Sequence, residues 1–191
     1  MTLRKETNAV YEQFKARAEG VGAEVHRFRD KKAALDFILS FLQREGVANA
    51  HGSYAVWADC PFLEDIDPKP LAETPGLRFD VSRDTAAGGR IGITQCEWAL
   101  ADTGTLVQDQ TAVEQRLASS LTDIHIALVP TSSILPNKTA LLARISPVTS
   151  RYIAFITGPS RTADIERVLT IGVHGPERLI IGCVDEMGGE A

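Results

Sequence analysis

The stretch FITGPSRTADIE, residues 155–166, sets an apolar run against Gly158-Pro159 and then places two hydroxyls, a guanidinium and a carboxylate in close succession. Two kinds of chemistry fit. Ser160 or Thr162 can cap a following helix, with Asp164 and Glu166 in its first turn meeting the positive end of the dipole, and that role explains the hydroxyls by itself. Arg161 is not needed for capping. Beside free amides at a helix start, its guanidinium would make a seat for phosphate or carboxylate, with Asp164 as an internal competitor. Gly158 supplies torsions closed to other residues and Pro159 fixes its own φ, so a sharp turn is expected under either reading.

A second cluster, LADTGTL, reads in two ways. Thr103-Gly104-Thr105 is an ordinary turn with Asp102 bonding nearby amides, or its hydroxyls and amides grip a polar ligand, with Asp102 or Glu97 as the carboxylate for acid–base or nucleophilic work. Thr131 and Ser132 in TSSILPNK form a third polar cluster, and GVHGP a fourth. His174 in GVHGP is the histidine best placed for proton transfer, although a histidine between glycines also serves a turn. His26 and His125 fall inside strand-like runs and read as structural, and His51 as a loop residue. The phosphate-cradling patterns GxxxxGK[ST] and GxGxxG are absent. GPSRT imitates a nucleophile elbow but has Thr162 where GxSxG needs glycine.

The elements that must position these groups alternate along the chain. LRKETNAVYEQFKARAEGVG has Val10, Phe14 and Ala18 at fourfold spacing and stops near Gly20 and Gly22, a helix; AEVHRF follows as a strand. DKKAALDFILSFLQREG starts at Asp30 as N-cap, stripes Ala34, Phe37, Ile38 and Phe41, and closes at Gly46. SYAVWA, LRFDVS, RIGIT, TLVQ, DIHIALVP, YIAFIT and RLIIGCV read as strands. Helices are expected from about Asn137 to Ile145 and from Thr162 to Thr170, and the proline-rich, acidic stretch from Asp59 to Pro75 as the least ordered connection. Short apolar runs with helices between them predict an α/β fold with a largely parallel, helix-covered sheet. In such sheets ligands gather beyond the carboxyl ends of strands, so ADTGT, PTSS and GPSRTAD are expected to share a pocket there.

At 191 residues and 44% hydrophobic content the chain suits one domain, 1–191. With 20 Lys and Arg against 25 Asp and Glu and no basic stripe, nucleic acid is excluded as a partner. The opening residues do not read as a signal peptide and no apolar run approaches the ~18 residues of a membrane span, so a soluble cytoplasmic protein is expected. Cys60, Cys96 and Cys183 lie far apart without a CxxC pair, so neither a metal site nor an iron–sulfur cluster is expected in this chain.

GITQCEWALADTGTLV, HIALVPTSSILP and above all FITGPSRTADIERVLTIGVHGPERLIIGCVDE resemble the lactate utilisation protein C family, the LUD domain, with motifs clearest over residues 91–186. The match covers Thr103, Gly104 and Thr105, then Gly158 to Thr162, Asp164 and Ile165, and Gly172, His174, Gly175 and Pro176; the family usually carries Glu where Asp102 stands. The resemblance implies a fold like that of the NagB, ribose-5-phosphate isomerase and CoA-transferase group. It also implies an accessory role, without a cluster of its own, beside iron–sulfur partner proteins that oxidise L-lactate to pyruvate, with a small anionic metabolite as ligand. The competing expectation, from fold analogy alone, is a stand-alone transferase or isomerase acting on a phosphorylated sugar or CoA ester.

Overall fold

Asp30 closes the first strand and caps the second helix, its carboxylate accepting from Ala33 N–H at 2.8 Å. Such economy of connection holds along the chain, of which the computed structural model describes residues 2–146, 148–163 and 169–187. The order is α1 (Thr2–Gly20), β1 (Glu24–Asp30), α2 (Lys31–Arg44), β2 (Ala55–Trp57), α3 (Pro68–Ala72), β3 (Leu77–Arg78), α4 (Arg83–Ala87), β4 (Ile91–Gln95), β5 (Trp98–Leu100), β6 (Thr105–Asp109) and α5 (Val113–Ser120). β7 (Ile124–Pro130), β8 (Ile134–Leu135), α6 (Lys138–Leu142), β9 (Ile153–Ile156), β10 (Arg161–Ala163), β11 (Leu169–Ile171) and β12 (Arg178–Glu186) complete it.

Six strands in the order β1-β12-β7-β4-β2-β3 form a sheet in which every pairing is parallel. The period-2 alternation of side chains divides each central strand between two cores. Ile124, Ile126 and Leu128 of β7 and Ile180 and Val184 of β12 pack with Ala34, Ile38, Phe41 and Leu42 of α2. Ala127 and Val129, with Leu179, Ile181 and Cys183, face the other way onto Tyr11, Phe14 and Ala18 of α1. Coverage on both faces is why these strands read as unbroken apolar runs.

A second, four-stranded sheet, β8-β5-β6-β9, covers the α1 side. Its β5–β6 and β6–β9 pairs are antiparallel and β5–β8 parallel. Ala99 and Leu106 point into the α1 core, while Leu100, Val107 and Leu135 are sealed outside by Leu141 of α6.

Two expectations are corrected. The two ends of the helix expected over 162–170 are strands: Arg161–Ala163 pairs antiparallel with Leu169–Ile171, and residues 164–168, with Asp164 and Glu166, lie outside the described residues. The apolar spacing of Ile165, Val168 and Leu169 imitates a helix, but Thr162, Thr170 and Ile171 are β-branched and favour extended backbone. The 59–75 connection is not structureless either, since it holds the turn Pro61–Leu63 and α3 and buries Cys60, Phe62 and Leu71 in the α2 core.

Candidate functional site

The β5–β6 turn and the end of β9 build one cavity. Gly104 turns the chain at φ +67, and a Cβ there would overlap the backbone of Ala18, so the glycine of ADTGT is needed both for its torsion and for close packing on α1. Because β6 pairs with β9 through Leu106 and Ile156, the residues just beyond this pair meet, and the hydroxyls of Thr105 and Thr157 lie 2.8 Å apart. Thr105 bonds to Thr103 Oγ1 at 2.8 Å, and Thr103 donates to Asp102 Oδ1 at 3.4 Å. With Leu100, Lys138 and Phe155 these residues line a cavity of about 300 Å³, at the lower end of the range for small-molecule sites. Lys138 Nζ stands 4.7 Å from the centre of the Phe155 ring, within cation–π range.

Other expected site residues are distributed differently. Gly158 has φ +70 and abuts the Val21 carbonyl, to which Arg161 Nη2 also donates. Ser160 N–H bonds Pro176 O at 2.8 Å and Gly172 N–H bonds Ser160 O at 3.1 Å, so GPSR and GVHGP meet beside the α1–β1 turn. His174 is exposed and lines a separate cavity of about 330 Å³ with Ser120, Thr122, Asp123 and Gly172. Thr162 and Ala163 belong to β10, so the residues next to Arg161 are strand and not a helix start. Thr131 is buried at the carboxyl end of β7 with its hydroxyl unpartnered, and Ser132 is exposed beside it. Neither is among the residues lining the Thr103–Thr157 cavity. The polar clusters thus fall at separate places, because GPSR follows an antiparallel strand of the second sheet and not a strand of the parallel one.

Glu97 occupies the opposite end of β5 from the turn. Burial pushes its carboxyl up to about 7, against a hydrogen bond of 2.6 Å received from Asp109 N–H. Close by runs a buried polar chain that sequence reasoning missed. Gln110 Nε2 bonds Gln108 Oε1 at 2.8 Å, and Gln108 Nε2 bonds Thr94 Oγ1 at 2.8 Å and Gln115 Oε1 at 3.1 Å. Gln115 then holds the Asp59 carbonyl at 2.8 Å. Its signal in the sequence was the alternation of Leu106, Gln108 and Gln110, which puts two amides on the face of β6 that points inward. Lys138, Phe155 and Thr157 were also missed as site residues, although each adjoins a motif already singled out.

The thiols do not fit an iron–sulfur cluster. Cys60 sits in the α2 core and Cys96 and Cys183 in the α1 core. Burial raises all three, Cys183 to about 12, whereas a cluster ligand must be a thiolate. Among the described residues no group of three His, Cys, Asp or Glu is placed to hold a metal ion, and no helix is long and apolar enough to cross a membrane.

A lactate utilization protein C of Exiguobacterium is 39% identical over 106 residues, covering 52% of this chain and 46% of that protein. Proteins of the same name from Bacillus subtilis and a Geobacillus strain are 33% and 38% identical, each covering 70% of this chain and 63% of the relative. The matched part is thus about half to two thirds of their length. The crystal structure of a DUF162 family protein from Deinococcus radiodurans superposes with a TM-score of 0.60 at 20% identity, over 93% of this chain and 98% of that one, and so shares the fold. Residues 11–182 match the LUD domain, and the chain belongs to the LUD domain family.

Proposed function

We propose that this chain serves L-lactate utilisation in the cytoplasm as the cluster-free accessory component of an iron–sulfur system that oxidises lactate to pyruvate, and that it holds a small carboxylate in the cavity lined by Thr103, Thr105, Thr157 and Lys138. The observation that carries the reading is the LUD match across residues 11–182, together with relatives named for lactate utilisation. The geometry adds a cavity of small-metabolite size with one ammonium among its lining groups. Three buried thiols divided between two cores support the reading that the redox clusters sit on partner proteins. Electrons leaving lactate then pass to those partners, while this chain binds and orients.

The test is genetic and chemical together. Deleting the gene is expected to abolish growth on L-lactate and leave growth on pyruvate intact, with the full chain restoring it. Anaerobic purification is expected to yield a protein without stoichiometric iron. Undiminished growth on lactate overturns the assignment, and one tightly held cluster per chain overturns the division of labour.

A further inference from the structure

The hydroxyl chain at the cavity has a direction. A carboxylate only accepts, so Thr103 gives its proton to Asp102; Thr105 then gives its own to Thr103, and Thr157 to Thr105. The Thr157 oxygen therefore reaches the cavity with its proton committed and lone pairs free. Leu100 and Phe155 add apolar surface, and Lys138, set over the Phe155 ring, is the one cation among the lining residues. A ligand entering here meets a wall of hydrogen-bond acceptors, the Asp102 carboxylate among them, and one ammonium.

We infer that Thr157 is a specificity-determining residue which, through this relay, selects short carboxylates bearing a hydroxyl over those bearing a carbonyl at the same position, with Lys138 pairing the carboxylate. The inference rests on the reading above that this cavity holds a small carboxylate. A ligand hydroxyl completes the relay by donating to Thr157. A ligand carbonyl sets oxygen against oxygen with no proton between them and gains no bond there. A phosphate monoester is matched worse still, because its several acceptor oxygens find a single charged donor. The wall reads the difference between a 2-hydroxy acid and the 2-oxo acid formed by its oxidation, so the oxidised form is released.

The full chain titrated with L-lactate, pyruvate and propionate, followed by amide chemical shifts, tests this. L-Lactate is expected to bind about tenfold more tightly than pyruvate, the worth of roughly one hydrogen bond, with shifts centred on residues 100–105, 138 and 155–157. Thr157→Val is expected to bring lactate down to the affinity of pyruvate while pyruvate itself is unchanged, and Thr157→Ser to keep the preference. Lys138→Met should weaken both acids together. Thermal melts of each variant separate lost binding from lost folding. Equal binding of the two acids by the parent, no binding of either, or equal weakening of both by Thr157→Val overturns the inference. If the chain is still required for growth on lactate in that event, the functional reading survives without this site; a discriminating cavity in a dispensable chain is the reverse result.

Discussion

Thr94 Oγ1 stands 2.8 Å from Nε2 of His125, and the contact gives one ring nitrogen of a buried histidine its hydrogen-bond partner. Gln108 Nε2 donates to the same hydroxyl oxygen at 2.8 Å, which leaves that oxygen one lone pair and one proton for the ring, so it serves Nε2 in either tautomer. Nδ1 has no partner. Burial drives the imidazole down to about 4, so it is neutral near pH 7.

Two buried groups then oppose each other as pH changes. His125 has a folded value of about 4 against an ordinary 6.5, so the unfolded chain binds more protons between these limits and stability rises with pH across them. Glu97 has a folded value of about 7 against an ordinary 4.5, so the folded chain binds more protons and stability is lost as pH rises through that window. Each displacement corresponds to about 3 kcal/mol, and the two largely cancel between pH 4.5 and 6.5. Urea unfolding of Glu97→Gln is expected to show stability climbing with pH where the parent is nearly flat, and His125→Gln to show it falling. Parallel pH profiles for the parent and Glu97→Gln would mean that Glu97 is ionised in the folded protein.

Glycine substitutions separate torsion and contact from helix propensity. Gly104→Ala places a methyl against the Ala18 backbone at a φ of +67 and is expected to cost more than about 2 kcal/mol. Gly20, at the end of α1, has open space where a Cβ would go, so Gly20→Ala is expected to be neutral or to stabilise by about 0.5 kcal/mol. Thermal melts of the two variants check both signs, and a harmless Gly104→Ala would mean the turn is not seated on α1 as described.

The legible parts of the sequence were those whose cause is local. Asp30 followed by the Ala34, Ile38 and Phe41 stripe announced α2, and the unbroken apolar runs of β7 and β12 announced a sheet covered on both faces. β5 and β8 have three and two residues, too few for any period to register, so the second sheet went unseen. α5 lacks a side-chain cap at Ala112 and offered no start signal. Thr103 and Thr105 were legible because a turn motif carries them. Thr157 was not, since its hydroxyl partner is 52 residues away and only the β6–β9 pairing brings the two together.

Arg161 provides the remaining test. Its guanidinium donates to the Val21 carbonyl and lies over Gly22, where a Cβ would come within 2.8 Å of Nη2. This ties the β9–β10 junction to the α1–β1 turn without any ligand. Arg161→Ala is expected to lower stability by about 1 kcal/mol, the worth of one solvent-accessible charged hydrogen bond. Lactate affinity should hold, because Arg161 is not among the residues lining the Thr103–Thr157 cavity. Arg161→Lys keeps the charge but loses the planar fork, so it is expected to recover only part of the stability. The opposite pattern, unchanged stability with lost binding in both variants, would make the guanidinium a ligand group and move the anion site from the β5–β6 turn to the Gly158–Arg161 loop.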